Sequence, residues 1–157
     1  ALIYTTLPPR YAGTGLGIHD LNEAMQSSFY ETSRLAEGMA LTPSRYNNNT
    51  GMDSVFRNFS GLEVEVAELK VIGDFKPGEI GKALGALRST RYGVQGSSQY
   101  ATNQVARILR SNVATPAMRQ TARVIQNASQ VNRTLVVMDE LGNIYAFDLS
   151  FVEMLTW

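Results

Sequence analysis

Residues 62–72 alternate between apolar and polar side chains, and this alternation constrains the fold more than any other stretch. Successive side chains of a β-strand point to opposite faces, so the pattern predicts a strand with one largely apolar face. The short apolar run 53–56 predicts a preceding strand. Residues 57–61 lie between the two and include Asn58 and Gly61, which are typical turn residues. We therefore predict an antiparallel β-hairpin.

The apolar face of the second predicted strand also carries two charged side chains. In a regular strand this face holds Leu62, Val64, Val66, Glu68, Lys70 and Ile72. A carboxylate and an amine on a core-facing row are unfavourable unless they are paired or bind a ligand. Closure of the hairpin would bring Asp53 beside Glu68 and Lys70. An exposed strand with a simple Glu–Lys pair is the alternative, and these residues alone leave it open.

Two carboxylates and a lysine at one end of a hairpin suit a divalent cation. Mg²⁺ and Mn²⁺ prefer hard oxygen ligands, and Mg²⁺ often uses one or two carboxylates while water and substrate phosphate complete its shell. Such an ion polarises a phosphodiester and lowers the pKa of a bound water. Lys70 would position that water or balance charge in the transition state. This reading predicts phosphodiester hydrolysis with Asp53 and Glu68 as metal ligands.

The segments 51–56 and 66–70, joined by a turn with Asn58 and Gly61, resemble a known motif. They are similar to the core of the PD-(D/E)XK nuclease superfamily. The likeness is greater to the C-terminal nuclease domains of bacterial contact-dependent-inhibition and Rhs polymorphic toxins. Met52 stands where the superfamily motif has its proline. The resemblance implies a restriction-endonuclease-like core.

The same resemblance implies roles for further residues. Asp53 and Glu68 would bind Mg²⁺ (or Mn²⁺), and Lys70 would assist the attacking water. In the toxin nucleases the first helix often supplies another acid near the metal, for which Glu31 is the candidate. A solvated helix charge is the alternative for Glu31.

Residues 91–100 resemble the glutamine–serine segment that follows Glu-x-Lys in these toxins. Gln95 and Ser97 are therefore candidates for positioning the substrate or the metal shell. A Gly/Ser loop in which Ser97 caps the next helix is the alternative. Candidate substrate-binding residues among the downstream arginines are Arg91, Arg119 and Arg123, although a solvated helix face would explain the last two equally well.

The biological role implied by the resemblance is that of a toxin. The chain would be secreted as part of a larger toxin and delivered to the cytoplasm of a competing cell. There it would hydrolyse DNA or tRNA, and a cognate immunity protein would neutralise it. One alternative is a non-catalytic interaction domain with a nuclease-like fold. Another is a ribosome-inactivating N-glycosidase. Residues 125–133 resemble the active helix of that class, with Gln130 in place of the glutamate and Arg133 matching the arginine.

The composition supports one globular domain over residues 1–157, with an irregular lead-in over 1–17. The chain is 44% hydrophobic and 18% charged, which is typical of a folded protein. Its net charge of zero argues mildly against nucleic-acid binding, although a local basic groove remains compatible with it. The lack of cysteine excludes disulfides, zinc–thiolate sites and a thiol nucleophile. We expect neither a membrane span nor a signal peptide.

Periodicity and turn signals complete the predicted element order. They predict helices over 19–40, 79–88, 100–111 and 116–131, and a second hairpin with strands over 134–139 and 144–149. The order helix, two strands, helices, two strands predicts an α/β fold with a central mixed β-sheet flanked by helices.

Overall fold

The structure, a computed structural model, describes residues 18–43, 51–139 and 141–150, with side chains from residue 25 onward. The predicted lead-in over 1–17 lies outside the described residues. The element order is α1 (Ile18–Ala36), β1 (Ala40–Thr42), β2 (Ser54–Arg57), β3 (Glu63–Val71), α2 (Ile80–Gly85), β4 (Ser89–Thr90), β5 (Gly93–Val94), α3 (Ser98–Arg110), α4 (Pro116–Asn127), β6 (Gln130–Met138) and β7 (Ile144–Asp148).

The main sheet has the strand order β1-β2-β3-β6-β7, and β4 and β5 form a small second sheet. The pairs β1–β2, β2–β3 and β6–β7 are antiparallel, whereas β3 and β6 are parallel. A parallel pair requires a long crossover, and here α2, α3 and α4 lie between β3 and β6 in the chain. The predicted α/β fold with a mixed sheet and flanking helices is confirmed.

The predicted β2–β3 hairpin is present. The backbone N–H of Asn58 donates to the carbonyl oxygen of Glu63 at 3.0 Å, and the Asn58 side chain accepts the N–H of Glu63 at 3.3 Å. Gly61 has a φ of +73°, which a side chain would disfavour. Local turn chemistry therefore closes the hairpin as the sequence indicated.

Both faces of β3 are buried, because its alternating side chains enter two different clusters. Val64 and Val66 pack with Tyr100 and Ile108 of α3 on one face. On the other face the cluster contains Tyr30 of α1 with Phe56, Ala67, Leu69 and Val136. The helices thus cover the sheet from opposite sides, and the carboxylates of β3 are divided between the two faces.

Glu65 points to the α1 face and is only 5% exposed. The Tyr30 hydroxyl donates to one of its carboxylate oxygens, and Arg34 Nη2 lies 2.7 Å from the other. Burial raises the pKa of Glu65, and the contacts with Tyr30 and Arg34 only partly offset this effect. This polar network joins α1 to the sheet beneath it.

Several boundaries differ from the predicted ones: α1 ends at Ala36 rather than at 40, α2 covers Ile80–Gly85 rather than 79–88, and α3 begins at Ser98 rather than at 100. Gly38, with a φ of +87°, follows the end of α1 at Ala36, and residues 40–42 form the unpredicted edge strand β1. Helix α4 stops at Asn127 rather than 131, and β6 begins at Gln130 rather than 134 because it pairs with β3 along its whole length. Gln130 and Arg133 therefore lie on a strand, not on the helix that the N-glycosidase resemblance would require.

None of the helices in the described part of the chain combines the length and the apolar character needed to cross a membrane.

Candidate active site

The hairpin register brings the two predicted metal ligands together. Ser54 lies opposite Ala67, so the next step of an antiparallel register places Asp53 opposite Glu68. Asp53 Oδ2 accepts the backbone N–H of Leu69 at 2.8 Å, which holds this carboxylate against β3. Asp53 and Glu68 thus lie on adjacent chain segments at one end of the hairpin.

Tyr100 of α3 lies within electrostatic range of both carboxylates, and the sequence predicted it only as part of the helix over 100–111. Its side chain is buried, and its hydroxyl donates to the carbonyl oxygen of Gly51 at 3.2 Å. Burial raises the pKa of Tyr100, and the charges of Glu68 and Asp53 raise it further. The charges of both carboxylates therefore act on one buried phenol, while Asp53 itself is half-buried.

The Glu68 carboxylate is fully buried, with no exposed surface. Gly96 packs against it: a Cβ added to this glycine would lie 3.7 Å from Glu68 Cγ and only 2.6 Å from Leu149 Cδ1. Gly96 also has a φ of +82°. The turn before α3 can pack this closely against Leu149 because residue 96 has no side chain.

Lys70 is held by Gln95, one of the residues implied by the resemblance. Lys70 Nζ donates to Gln95 Oε1 at 3.0 Å, and the backbone N–H of Arg88 donates to the same oxygen at 3.0 Å. The backbone N–H of Gln95 in turn donates to the carbonyl oxygen of Arg88 at 3.0 Å. Strands β4 and β5 thus fix Gln95, and Gln95 orients the ammonium group of Lys70.

Ser97 is the N-cap of α3, the alternative that the sequence left open. Its hydroxyl accepts the backbone N–H of Tyr100 at 3.0 Å, and its own backbone is extended. A side-chain acceptor at this position satisfies one of the unpaired N–H groups at a helix start. Ser97 therefore sets where α3 begins and, through it, where Tyr100 lies.

Glu31 approaches the same end of the hairpin from the α1 face. Its carboxylate accepts a hydrogen bond from the Ser54 hydroxyl at 3.4 Å, and Ser54 adjoins Asp53 in the chain. Gln26 anchors α1 there, since its amide donates to the carbonyl oxygens of Lys70 at 2.7 Å and Val136 at 2.9 Å. Glu31 is close to the site, but it belongs to the opposite face of the sheet.

The three candidate arginines are in different places. Arg91 lies in the turn between β4 and β5, the small sheet that positions Gln95. Arg119 donates to the carbonyl oxygen of Ser111 at 2.7 Å, at the far end of α3 from Tyr100 and about 16 Å away along the helix. Arg123 is exposed on α4. The structure therefore places Arg91 on the small sheet next to Gln95, and Arg119 at the opposite end of α3 from Tyr100.

The carboxylates near the hairpin end limit the kind of metal site that this chain could form. Among the side chains of residues 25–43, 51–139 and 141–150, no group of three or more His, Asp or Glu is arranged to hold a metal ion. A pair such as Asp53 and Glu68 is still sufficient where water and substrate phosphate complete the shell. Any metal ion at this pair would need water or a substrate for most of its ligands.

A scan of protein-family models and searches of curated proteins and solved structures found no match to this chain.

Proposed function

We propose that this chain is a metal-dependent nuclease that hydrolyses phosphodiester bonds of DNA or tRNA. The observation that supports it best is the meeting of Asp53 and Glu68 at one end of the hairpin, with Lys70 on the same face of β3. The proposal includes a restriction-endonuclease-like core. The antiparallel β2–β3 pair, the parallel β6 and the helices on both faces are consistent with such a core.

Each residue has a role in this proposal. Asp53 and Glu68 would hold Mg²⁺ or Mn²⁺, which supplies a Lewis acid for the phosphate and lowers the pKa of a bound water. Lys70 donates a hydrogen bond towards the attacking water or the phosphate oxygens, and Gln95 keeps its ammonium group in position. Tyr100, whose hydroxyl donates to the carbonyl oxygen of Gly51, would help to position the segment that carries Asp53.

The test is cleavage of plasmid DNA and of total tRNA in the presence of Mg²⁺ or Mn²⁺. We expect Lys70→Met to lower the rate by about 10²- to 10³-fold, the typical loss of one charge-stabilising donor, and Asp53→Asn and Glu68→Gln to abolish metal-dependent cleavage. Glu63→Gln is the matched control. It removes a carboxylate from the other end of β3, where Glu63 accepts from Asn132 Nδ2 at 3.1 Å, and should retain activity.

Two outcomes would contradict this proposal. Cleavage that survives both Asp53→Asn and Lys70→Met would place the activity elsewhere on the chain. Failure of the wild-type protein to cleave any nucleic acid with either metal would favour a non-catalytic interaction domain with a nuclease-like fold.

We further propose that the nuclease acts as a toxin in a competing bacterial cell and that a cognate immunity protein neutralises it. The resemblance of segments 51–56 and 66–70 to polymorphic-toxin domains supports this role. Induced expression in a bacterial cytoplasm should stop growth, Asp53→Asn should not, and co-expression of the neighbouring reading frame should restore growth. Equal growth with the wild-type protein and Asp53→Asn would exclude the toxin role.

A further inference from the structure

Two arginines, Arg91 and Arg107, lie against the aromatic ring of Tyr92. The guanidinium carbon of Arg91 lies 4.9 Å from the centre of the ring, and that of Arg107 lies 5.0 Å from it. Arg91 Nη2 also donates to the Tyr92 hydroxyl at 2.6 Å. Cations at this distance are attracted to the electron-rich face of an aromatic ring. Two positive charges are therefore held against one aromatic side chain.

The cluster of Arg91, Tyr92 and Arg107 is hydrogen-bonded to α3, the helix that carries Tyr100. Asn103 Nδ2 donates to the carbonyl oxygen of Tyr92 at 2.9 Å, which ties the β4–β5 turn to α3. Residues 100, 103 and 107 are spaced by three and four positions and so lie on one face of the helix. Arg107 is two turns from Tyr100, about 10 Å along the axis.

Arg107 and the two carboxylates all affect the pKa of Tyr100. The positive charge of Arg107 partly offsets the rise in the pKa of Tyr100 that burial, Glu68 and Asp53 cause. Arg107 and the two carboxylates therefore lie within electrostatic range of the same phenol. A chain with zero net charge thus has a local pair of positive charges on α3 and the β4–β5 turn.

We propose that Arg91, Tyr92 and Arg107 form a phosphate clamp that holds the nucleic-acid strand beside the phosphodiester to be cleaved. The clamp rests on the proposed nuclease function and specifies how the substrate is held. Guanidinium groups match phosphate geometry, and contact with the ring reduces the side-chain freedom that binding would otherwise remove. A separation of about 10 Å corresponds to roughly three nucleotides at 3.4 Å per nucleotide.

The salt dependence of binding tests the clamp. A short fluorescein-labelled oligonucleotide, as duplex and as single strand, is titrated with protein in EDTA so that no metal-dependent cleavage occurs. Each phosphate contact contributes roughly 0.7 to 0.9 to the slope of log K against log salt concentration. We expect Arg107→Gln and Arg91→Gln each to reduce this slope by about 1 and to weaken binding.

Two further variants separate the clamp from a general loss of charge. Arg57→Gln also removes one exposed positive charge, but at the end of β2 far from Asp53, and should keep the wild-type slope. Tyr92→Leu retains both arginines but removes their ring, and we expect it to weaken binding about two- to fivefold.

The clamp is overturned if Arg107→Gln and Arg91→Gln have the slope of Arg57→Gln, or if the wild-type protein does not bind the oligonucleotide. The cleavage assay makes the two proposals distinguishable. Metal-dependent cleavage with unchanged slopes would retain the nuclease and remove the clamp. Altered slopes without any cleavage would retain the clamp and remove the nuclease.

Discussion

At the scale of single residues, Gly96 is a position where the structure disfavours any side chain. It combines a left-handed backbone with a contact to Leu149 that is too close for an added Cβ atom. Its substitution therefore affects both the core and the turn that covers a candidate metal ligand.

We expect Gly96→Ala to lower the free energy of unfolding by about 1–3 kcal/mol, because the added methyl group overpacks the core and an L-residue is strained at this φ. Urea denaturation measures the change. Gly81→Ala is the control, since Gly81 lies in α2 with nothing within 4 Å of an added Cβ. This change should be neutral or stabilise by up to about 1 kcal/mol. Equal effects at both glycines would contradict the steric argument.

At the scale of elements, the start of α3 connects helix stability to the site. Ser97 caps this helix, and α3 carries both Tyr100 and Arg107. Thr115 caps α4 by the same kind of bond, from the Met118 N–H to its hydroxyl at 3.1 Å. The two caps are chemically alike but differ in what their helices carry.

We expect Ser97→Ala and Thr115→Ala each to lower the free energy of unfolding by about 1 kcal/mol through loss of the cap. Only Ser97→Ala should also lower the rate of nucleic-acid cleavage, because it loosens the helix turn that bears Tyr100. Chemical denaturation and cleavage rates of the folded variants test this pair. A rate loss of the same size in Thr115→Ala would show that cap removal acts through general stability alone.

The contact between α1 and β3 predicts a pH dependence. Burial raises the folded-state pKa of Glu65 above its ordinary value of 4.5. The Glu65 carboxyl group therefore binds its proton more tightly in the folded protein than in the unfolded chain. The stabilisation from this proton is complete below pH 4.5 and is lost as the pH rises through the folded-state pKa. Between pH 4.5 and neutrality, the wild-type protein should therefore lose stability relative to Glu65→Gln.

Denaturation of the wild-type protein and of Glu65→Gln over this pH range measures the effect. Glu63→Gln, which removes a carboxylate from the same strand, is the control and should follow the wild-type curve. Parallel curves for the wild-type protein and Glu65→Gln would contradict the assignment to Glu65.

At the scale of the whole molecule, a ligand that binds only the folded state stabilises it by mass action. We expect Mg²⁺ at about 100 times its dissociation constant to add about 2.7 kcal/mol to the free energy of unfolding. Asp53→Asn and Glu68→Gln should remove this gain, and a chelator should reverse it in the wild-type protein. Thermal melts with and without Mg²⁺ give the measurement, and an equal gain in all variants would place the metal elsewhere.

Much of the fold was predictable because its signals lie in consecutive residues. The alternation over 62–72 and the turn residues Asn58 and Gly61 indicated the β2–β3 hairpin, and the helices followed from three- and four-residue spacings. The same alternation placed Glu68 and Lys70 on one face of β3 and Asp53 within reach of them. Period and turn chemistry depend on neighbouring residues, so the sequence carries them directly.

Only the tertiary structure decided how distant segments meet. The pairing of β6 with β3 extended the strand back to Gln130 at the expense of the predicted helix, because ladder hydrogen bonds outweigh local propensity. The burial of Glu65, the hydrogen bond from Tyr100 to the carbonyl oxygen of Gly51 and the stacking of Arg107 on Tyr92 each join residues from different elements. The sequence by itself determined the elements and the chemistry available on each face. Which side chains share one environment depended on packing between elements, which no local pattern encodes.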